Sequence, residues 1–158
     1  MPEQTYSVHT NPDLPILLGN CEALVAKVQV TWFEDQRAMR MKSNTCSLCD
    51  LADQAVVTKA NSKANLPHIK LGRFGRTTKK SPSGRSFRCN DNHEAITGIE
   101  GDYDDGEINP ADAAQRLAEA GVAALIVTSP SHGVGEKGHR WHVLCPCRKE
   151  TAPIVEPS

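Results

Sequence analysis

His93-Glu-Ala-Ile-Thr-Gly-Ile-Glu-Gly-Asp-Tyr-Asp-Asp-Gly106 runs into Glu107-Ile-Asn-Pro-Ala-Asp-Ala-Ala-Gln-Arg-Leu-Ala-Glu-Ala-Gly121 and then Val122-Ala-Ala-Leu-Ile-Val-Thr128. The first segment carries Ala95, Ile96 and Ile99 among small residues and passes into acids, which predicts a strand over His93 to Tyr103. The second opens as a helix, with Asn109 as N-cap, Pro110 at the first helical position and Asp112 in the first turn. Ala113, Ala114, Leu117 and Ala120 form its buried face, and Gly121 supplies the C-terminal cap. The third is a near-continuous apolar run, as in a buried strand. Ser129 to Gly138 is Gly-rich and reads as a loop. Arg140 to Pro146 follows as a strand with Trp141, Val143 and Leu144.

The order strand, helix, strand, strand predicts an α+β fold built on a βαββ unit, one half of a ferredoxin-like or RNA-recognition-motif-like layer. The N-terminal half is less marked. Residues 1–20 are polar and Pro-rich and read as a loose arm. Val28 to Trp32 alternates and predicts a strand. Thr45 to Val57 carries Leu48, Leu51, Ala52 and Ala55 at helical spacing, with Thr45 or Ser47 as N-cap. Asn61 to Leu66 is a connector and Leu66 to Phe74 a short strand. Gly75 to Arg85 reads as a mobile basic loop. The expected organisation is therefore an arm (1–20), one domain (21–150) and a flexible tail (151–158).

A length of 158 residues suits one domain, and 39% apolar with 23% charged residues lies well above the disordered class. Aromatics are only 4%, so aliphatic side chains must fill the core. No apolar window approaches the length of a transmembrane helix, and Met1 to Asn20 lacks the pattern of a secretory signal. The expected compartment is the cytoplasm, with the six cysteines reduced.

The net charge of −1 hides an asymmetry. Lys70, Arg73, Arg76, Lys79, Lys80, Arg85 and Arg88 fall within 19 positions that contain no acid. Nine acids and one base, Arg116, then follow between Asp91 and Ala120. The two blocks are either solvated faces or a site where bases hold phosphates and acids hold metal ions. Asp102 and Asp104 are the sharpest candidates. Two apart on a strand, they project from one face about 7 Å apart, and such a pair binds divalent metal with phosphates completing the shell. The plain alternative is an acidic turn before the helix. An EF-hand is excluded, because Glu107 and Ala113 stand where its Gly and bidentate Glu belong.

His142 and Arg140 share a strand face, and with His132 they are candidates for holding nucleotide phosphates. Incidental histidines on a surface hairpin are the alternative. Cys46, Cys49, Cys145 and Cys147 could supply four thiolates to zinc, and Cys89 with His93 is another pair. Free buried thiols are the favoured reading.

Three stretches together resemble phage and prophage primases: Asn65-Leu-Pro-His-Ile-Lys-Leu-Gly-Arg-Phe-Gly75, Ile96-Thr-Gly-Ile-Glu-Gly-Asp-Tyr-Asp-Asp-Gly106, and Ala124-Leu-Ile-Val-Thr-Ser-Pro-Ser-His132 with Arg140-Trp-His-Val-Leu-Cys-Pro146. From about Val28 to Glu150 the chain is similar to the N-terminal primase-polymerase domain of mobile-element (prophage and plasmid) replication proteins. These are the RepB-like and virulence-associated E-type members of the archaeo-eukaryotic primase superfamily.

The resemblance implies a primase-type fold and nucleotidyl transfer on a DNA template with Mg²⁺ or Mn²⁺. Asp102 and Asp104 would be the metal ligands, with His142 beside them as the third catalytic residue. His132, Arg140, Ser129 and Ser131 would hold a nucleoside triphosphate, and the seven basic residues would bind nucleic acid. It further implies a replicative helicase domain as partner. The family domain continues beyond the position of Pro146 with a further helix, strands and a third acidic ligand, so a shortened fold is expected here. The alternative function is an inactive nucleic-acid-binding module that retains the primase scaffold.

Overall fold

In a computed structural model that describes residues 15–81 and 84–153, the chain is a mixed α+β protein. Its elements are β1 (Ile16–Leu18), α1 (Cys21–Val25), β2 (Val28–Phe33), β3 (Met41–Cys46), α2 (Leu48–Val57), β4 (His68–Lys70), β5 (Gly72–Phe74), β6 (Lys79–Ser81), β7 (Gly84–Ser86), β8 (His93–Gly106), α3 (Pro110–Glu119), β9 (Ala124–Thr128) and β10 (His139–Thr151). Hydrogen bonding orders the strands as β1-β9-β10-β8-β5, as β3-β2-β4 and as the hairpin β6-β7. Two compact units share the chain. The first holds the described residues up to Lys27, Cys46–Thr58 and Glu100–Pro146. The second holds Val28–Thr45, Lys59–Ile99 and the described residues from Cys147.

In the first unit α3 begins and ends where its terminal residues dictate. The Asn109 side chain accepts the Asp112 N–H at 2.8 Å and Pro110 occupies the first turn. Beyond the last turn the N–H groups of Gly121 and Val122 donate back to Ala118 and Leu117, with Gly121 at φ 68°. This is a Schellman ending, which needs a left-handed residue and so favours glycine. Ala113 and Ala114 pack with Ile16, Leu18, Ala124, Ile126 and Trp141 in one core. Tyr103, Val143 and Cys145 pack against the same core. β9 pairs antiparallel with β1 on one side and β10 on the other, so β10 lies between β9 and β8. The helix α2 also packs on β1 and β9. It starts from a capping box in which Ser47 and Asp50 exchange side-chain and backbone hydrogen bonds.

The second unit is held by β2 between β3 and β4, by β5 against the first part of β8, and by a small aromatic core. Phe33, Ala38 and Phe74 are buried together, with the Phe33 and Phe74 rings edge to face at 5.2 Å. The buried Thr31 hydroxyl donates to the Gly72 carbonyl at 2.9 Å. That bond links β2 to the point where the chain passes from β4 to β5.

The structure corrects several expectations. Within the predicted loose arm Ile16–Leu18 is a strand, because Ile16 and Leu18 complete the core beside β9; residues 1–14 lie outside the described residues. Leu66 to Phe74 is two strands, since β4 pairs with β2 and β5 with β8, the change falling at buried Leu71. The predicted mobile basic loop contains the hairpin β6-β7, Lys79 opposite Ser86 and Lys80 opposite Arg85. Cys46 ends β3 rather than lying in a helix. β10 runs on to Thr151, into the predicted tail, of which residues 154–158 lie outside the described residues. Among the described residues no helix is long and apolar enough to cross a membrane.

Candidate functional site

Strand alternation in the first unit separates apolar and charged work. Tyr103 on β8 and Trp141, Val143 and Cys145 on β10 face the core under α3. Asp102 and Asp104, and Arg140 and His142, therefore project from the opposite face. There each acid meets one base: His142 Nδ1 lies 3.1 Å from Asp102 Oδ1, and Arg140 Nη1 donates to Asp104 Oδ1 at 2.8 Å. The two carboxylates remain 60% and 58% exposed, so water screens both pairs. At such exposure each pair contributes about 0–1 kcal/mol, which a competing ligand readily offsets. Arg140 is further inside, 26% exposed, and its Nε is buried with no hydrogen-bond partner.

The aromatic pair behind these residues sets their alignment. The Tyr103 and Trp141 rings stack at 4.8 Å and 17°. Trp141 Nε1 donates to the Ile108 carbonyl, and the Tyr103 hydroxyl accepts the N–H groups of Ile108 and Glu107. Tyr103 sits between the two acids in sequence and Trp141 between the two bases. A stacked pair at that position holds the strands so that acid faces base. Their positioning role was absent from the sequence reading. The available signal was the matching patterns Asp-Tyr-Asp and Arg-Trp-His.

The loop from Ser129 to Gly138 is tied to the start of β10. Ser129 N–H donates to the Arg140 carbonyl, and the His132 ring accepts the Arg140 N–H at Nδ1, 3.1 Å away. The same Nδ1 lies 3.2 Å from the Arg140 carbonyl oxygen, so His132 is tied to the Arg140 backbone in either tautomer. Its ring lies 5.4 Å from that of His139. The hydroxyls of Ser129 and Ser131 are 3.0 Å apart, with Ser129 buried. At the far end of the loop a Cβ on Gly138 would lie 2.6 Å from the Gly106 carbonyl oxygen, so only glycine lets the loop close on β8.

The basic residues of the second unit divide into two groups. Arg73 is held by Glu94 at 3.2 Å and Glu150 at 3.0 Å, and Arg88 donates to the Gln36 carbonyl. Lys70 is half-buried on β4 and has an interaction within the protein. Arg76, Lys79, Lys80 and Arg85 are exposed. Lys80 and Arg85 stand directly opposite in the hairpin register. Like charges so placed destabilise a strand pair by about 0.2–1 kcal/mol, and a polyanion would reverse the sign. Asn92, buried at 2% exposure, anchors the base of this segment. Its Oδ1 accepts the Thr77 N–H and its Nδ2 donates to the Phe87 carbonyl, both at 2.7 Å.

The cysteines are all free thiols: Cys21 exposed, Cys46 buried, and Cys49, Cys89, Cys145 and Cys147 intermediate. Burial, reinforced by the Asp50 charge and opposed by Lys27, pushes the Cys46 thiol up to about 11.

Among the described residues no group of three or more His, Cys, Asp or Glu side chains is placed to hold a metal ion. Two exposed carboxylates along one strand still fit a hard cation such as Mg²⁺, which keeps several waters and takes phosphate oxygens. The chain matches no protein-family model, and no curated protein or solved structure is significantly similar to it.

Proposed function

We propose that the chain is a DNA primase-polymerase domain of the archaeo-eukaryotic primase type, its βαββ unit β8-α3-β9-β10 carrying metal-dependent nucleotidyl transfer on a DNA template. The observation that carries the reading is the array of two carboxylates and two bases on one sheet face. Bound there, Mg²⁺ or Mn²⁺ would lower the charge of the reacting phosphates and activate the attacking hydroxyl. Asp102 and Asp104 would hold the metal. Arg140 presents a planar fork suited to phosphate oxygens, and His142 adds a donor on the same face. His132, tied to the Arg140 backbone through Nδ1, would add its other ring nitrogen as a phosphate contact, with the Ser129 and Ser131 hydroxyls in the same loop. The exposed bases of the hairpin segment, Arg76, Lys79, Lys80 and Arg85, are suited to the phosphate backbone of a template.

The test is primer extension with Mn²⁺ or Mg²⁺, comparing wild type with Asp102→Ala. The expected result is incorporation by wild type, at least 100-fold less by the variant, and equal DNA affinity for both. The second reading is an inactive nucleic-acid-binding module. It is favoured by the finding that, among the described residues, no group of three or more His, Cys, Asp or Glu side chains is placed to hold a metal ion. Salt-sensitive DNA binding without incorporation by wild type would establish it and overturn the enzyme.

A further inference from the structure

We propose that the array on β8 and β10 is a charge-exchange site: at rest each carboxylate is engaged by its own base, and a divalent cation and a triphosphate displace the two internal pairs together. This rests on the reading of the array as a metal–nucleotide site. The pairing is one to one, Asp104 with Arg140 at 2.8 Å and Asp102 with His142 at 3.1 Å, and all four groups share one face.

Each ligand alone meets an obstacle that the other removes. A metal ion taking Asp104 leaves the Arg140 guanidinium facing it without a counter-charge. A triphosphate taking Arg140 leaves Asp104 beside the phosphate oxygens, where like charges repel. When both arrive, carboxylate passes from guanidinium to metal and guanidinium passes from carboxylate to phosphate, and no charge is left unpaired. The resting pose also leaves Arg140 Nε buried without an acceptor, so turning the guanidinium toward a phosphate would relieve an unmade hydrogen bond. The coupling is reciprocal, because each ligand must raise the affinity for the other by the same factor.

The consequence is that deleting one half of a pair tightens binding of the opposite ligand. Arg140→Gln should bind Mn²⁺, without nucleotide, about fivefold more tightly than wild type, the size of an exposed ion pair. Asp104→Asn should bind ATP in EDTA about fivefold more tightly than wild type. Contacts that act independently predict the reverse: Asp104→Asn leaves metal-free ATP binding unchanged, and Arg140→Gln leaves Mn²⁺ binding unchanged.

The measurement is free Mn²⁺ by electron paramagnetic resonance and ATP binding by calorimetry, at low salt, with folding checked by circular dichroism. Asp102→Asn and His142→Gln repeat the experiment on the second pair should either first variant fail to fold. Wild-type binding of Mn²⁺ and ATP together, with both variants tightened as stated, supports the exchange. Joint binding by wild type with neither variant tightened overturns the exchange and leaves the site reading intact. No binding of Mn²⁺ with ATP by wild type or any variant overturns both.

Discussion

Replacing Asn92 by Ala should release the hairpin segment while sparing the array on β8 and β10. The side chain is 2% exposed and bonds both limbs that flank β6-β7: the Thr77 N–H on the way in and the Phe87 carbonyl on the way out, each at 2.7 Å. Two such bonds contribute about 1 kcal/mol each, and the half-buried Phe87 carbonyl left without a donor adds a desolvation penalty, for a total of about 2–3 kcal/mol. Thr77 is exposed, so water takes over its N–H and limits the loss. The assay is hydrogen exchange read residue by residue, with urea unfolding alongside. Amides of residues 77–81 and 84–87 should exchange about 30- to 150-fold faster, the equivalent of that free energy, while amides of β9 and α3 keep their protection. If opening of this segment is part of global unfolding, the urea midpoint falls by about 1 M. Asn92→Asp keeps the acceptor but not the donor and adds a buried charge. At neutral pH it should be at least as damaging as Ala, and it should recover on acidification as the carboxyl regains a proton to donate. Wild-type protection at Thr77 and an unmoved urea midpoint in Asn92→Ala would refute the reasoning.

Changing Lys79, Lys80 and Arg85 together to Ala should make log affinity for duplex DNA against log salt shallower by about two to three, if each contacts one phosphate; an unchanged slope returns the hairpin to a solvated charge run. Tyr103→Phe keeps the stack on Trp141 but removes the acceptor for the Ile108 and Glu107 N–H groups, and should lower stability by about 1–2 kcal/mol in urea titration; no loss would mean water replaces the hydroxyl fully. The hydrogen bond from Lys27, with those from the Ser47 N–H and hydroxyl, holds the Asp50 carboxyl down at about 2 from its usual 3.8. Because the folded value is the lower one, its contribution is complete above about pH 4 and disappears as pH falls toward about 2. Asp50→Asn should therefore show a flatter acid limb than wild type in urea midpoints measured from pH 7 down to 2, and identical limbs would show that the pair contributes nothing.

Much of the first unit is legible in the residue order, because its signals are local. Asn109-Pro110 starts α3, and Gly121, next to the last turn, ends it by backbone conformation alone. The shared face of Asp102 and Asp104 follows from the two-residue period of any strand, and so does that of Arg140 and His142. Pairing is a different matter, since it depends on which segments bury each other's apolar surface. Ile16–Leu18 carries too few residues for a periodic signal and becomes a strand only because β9 offers an edge and a core beside it. A Gly-, Ser- and Lys-rich segment reads as a loop, yet closes as a hairpin over a base held by Asn92. Arg73, one base among seven in sequence, is claimed by Glu94 and by Glu150, which lies 77 positions away. That Asp102 meets His142 and Asp104 meets Arg140 was decided by the register of β10 beside β8, held by Tyr103 stacked on Trp141. Spacing along the chain decides what shares a face; only packing between distant segments decides what that face meets.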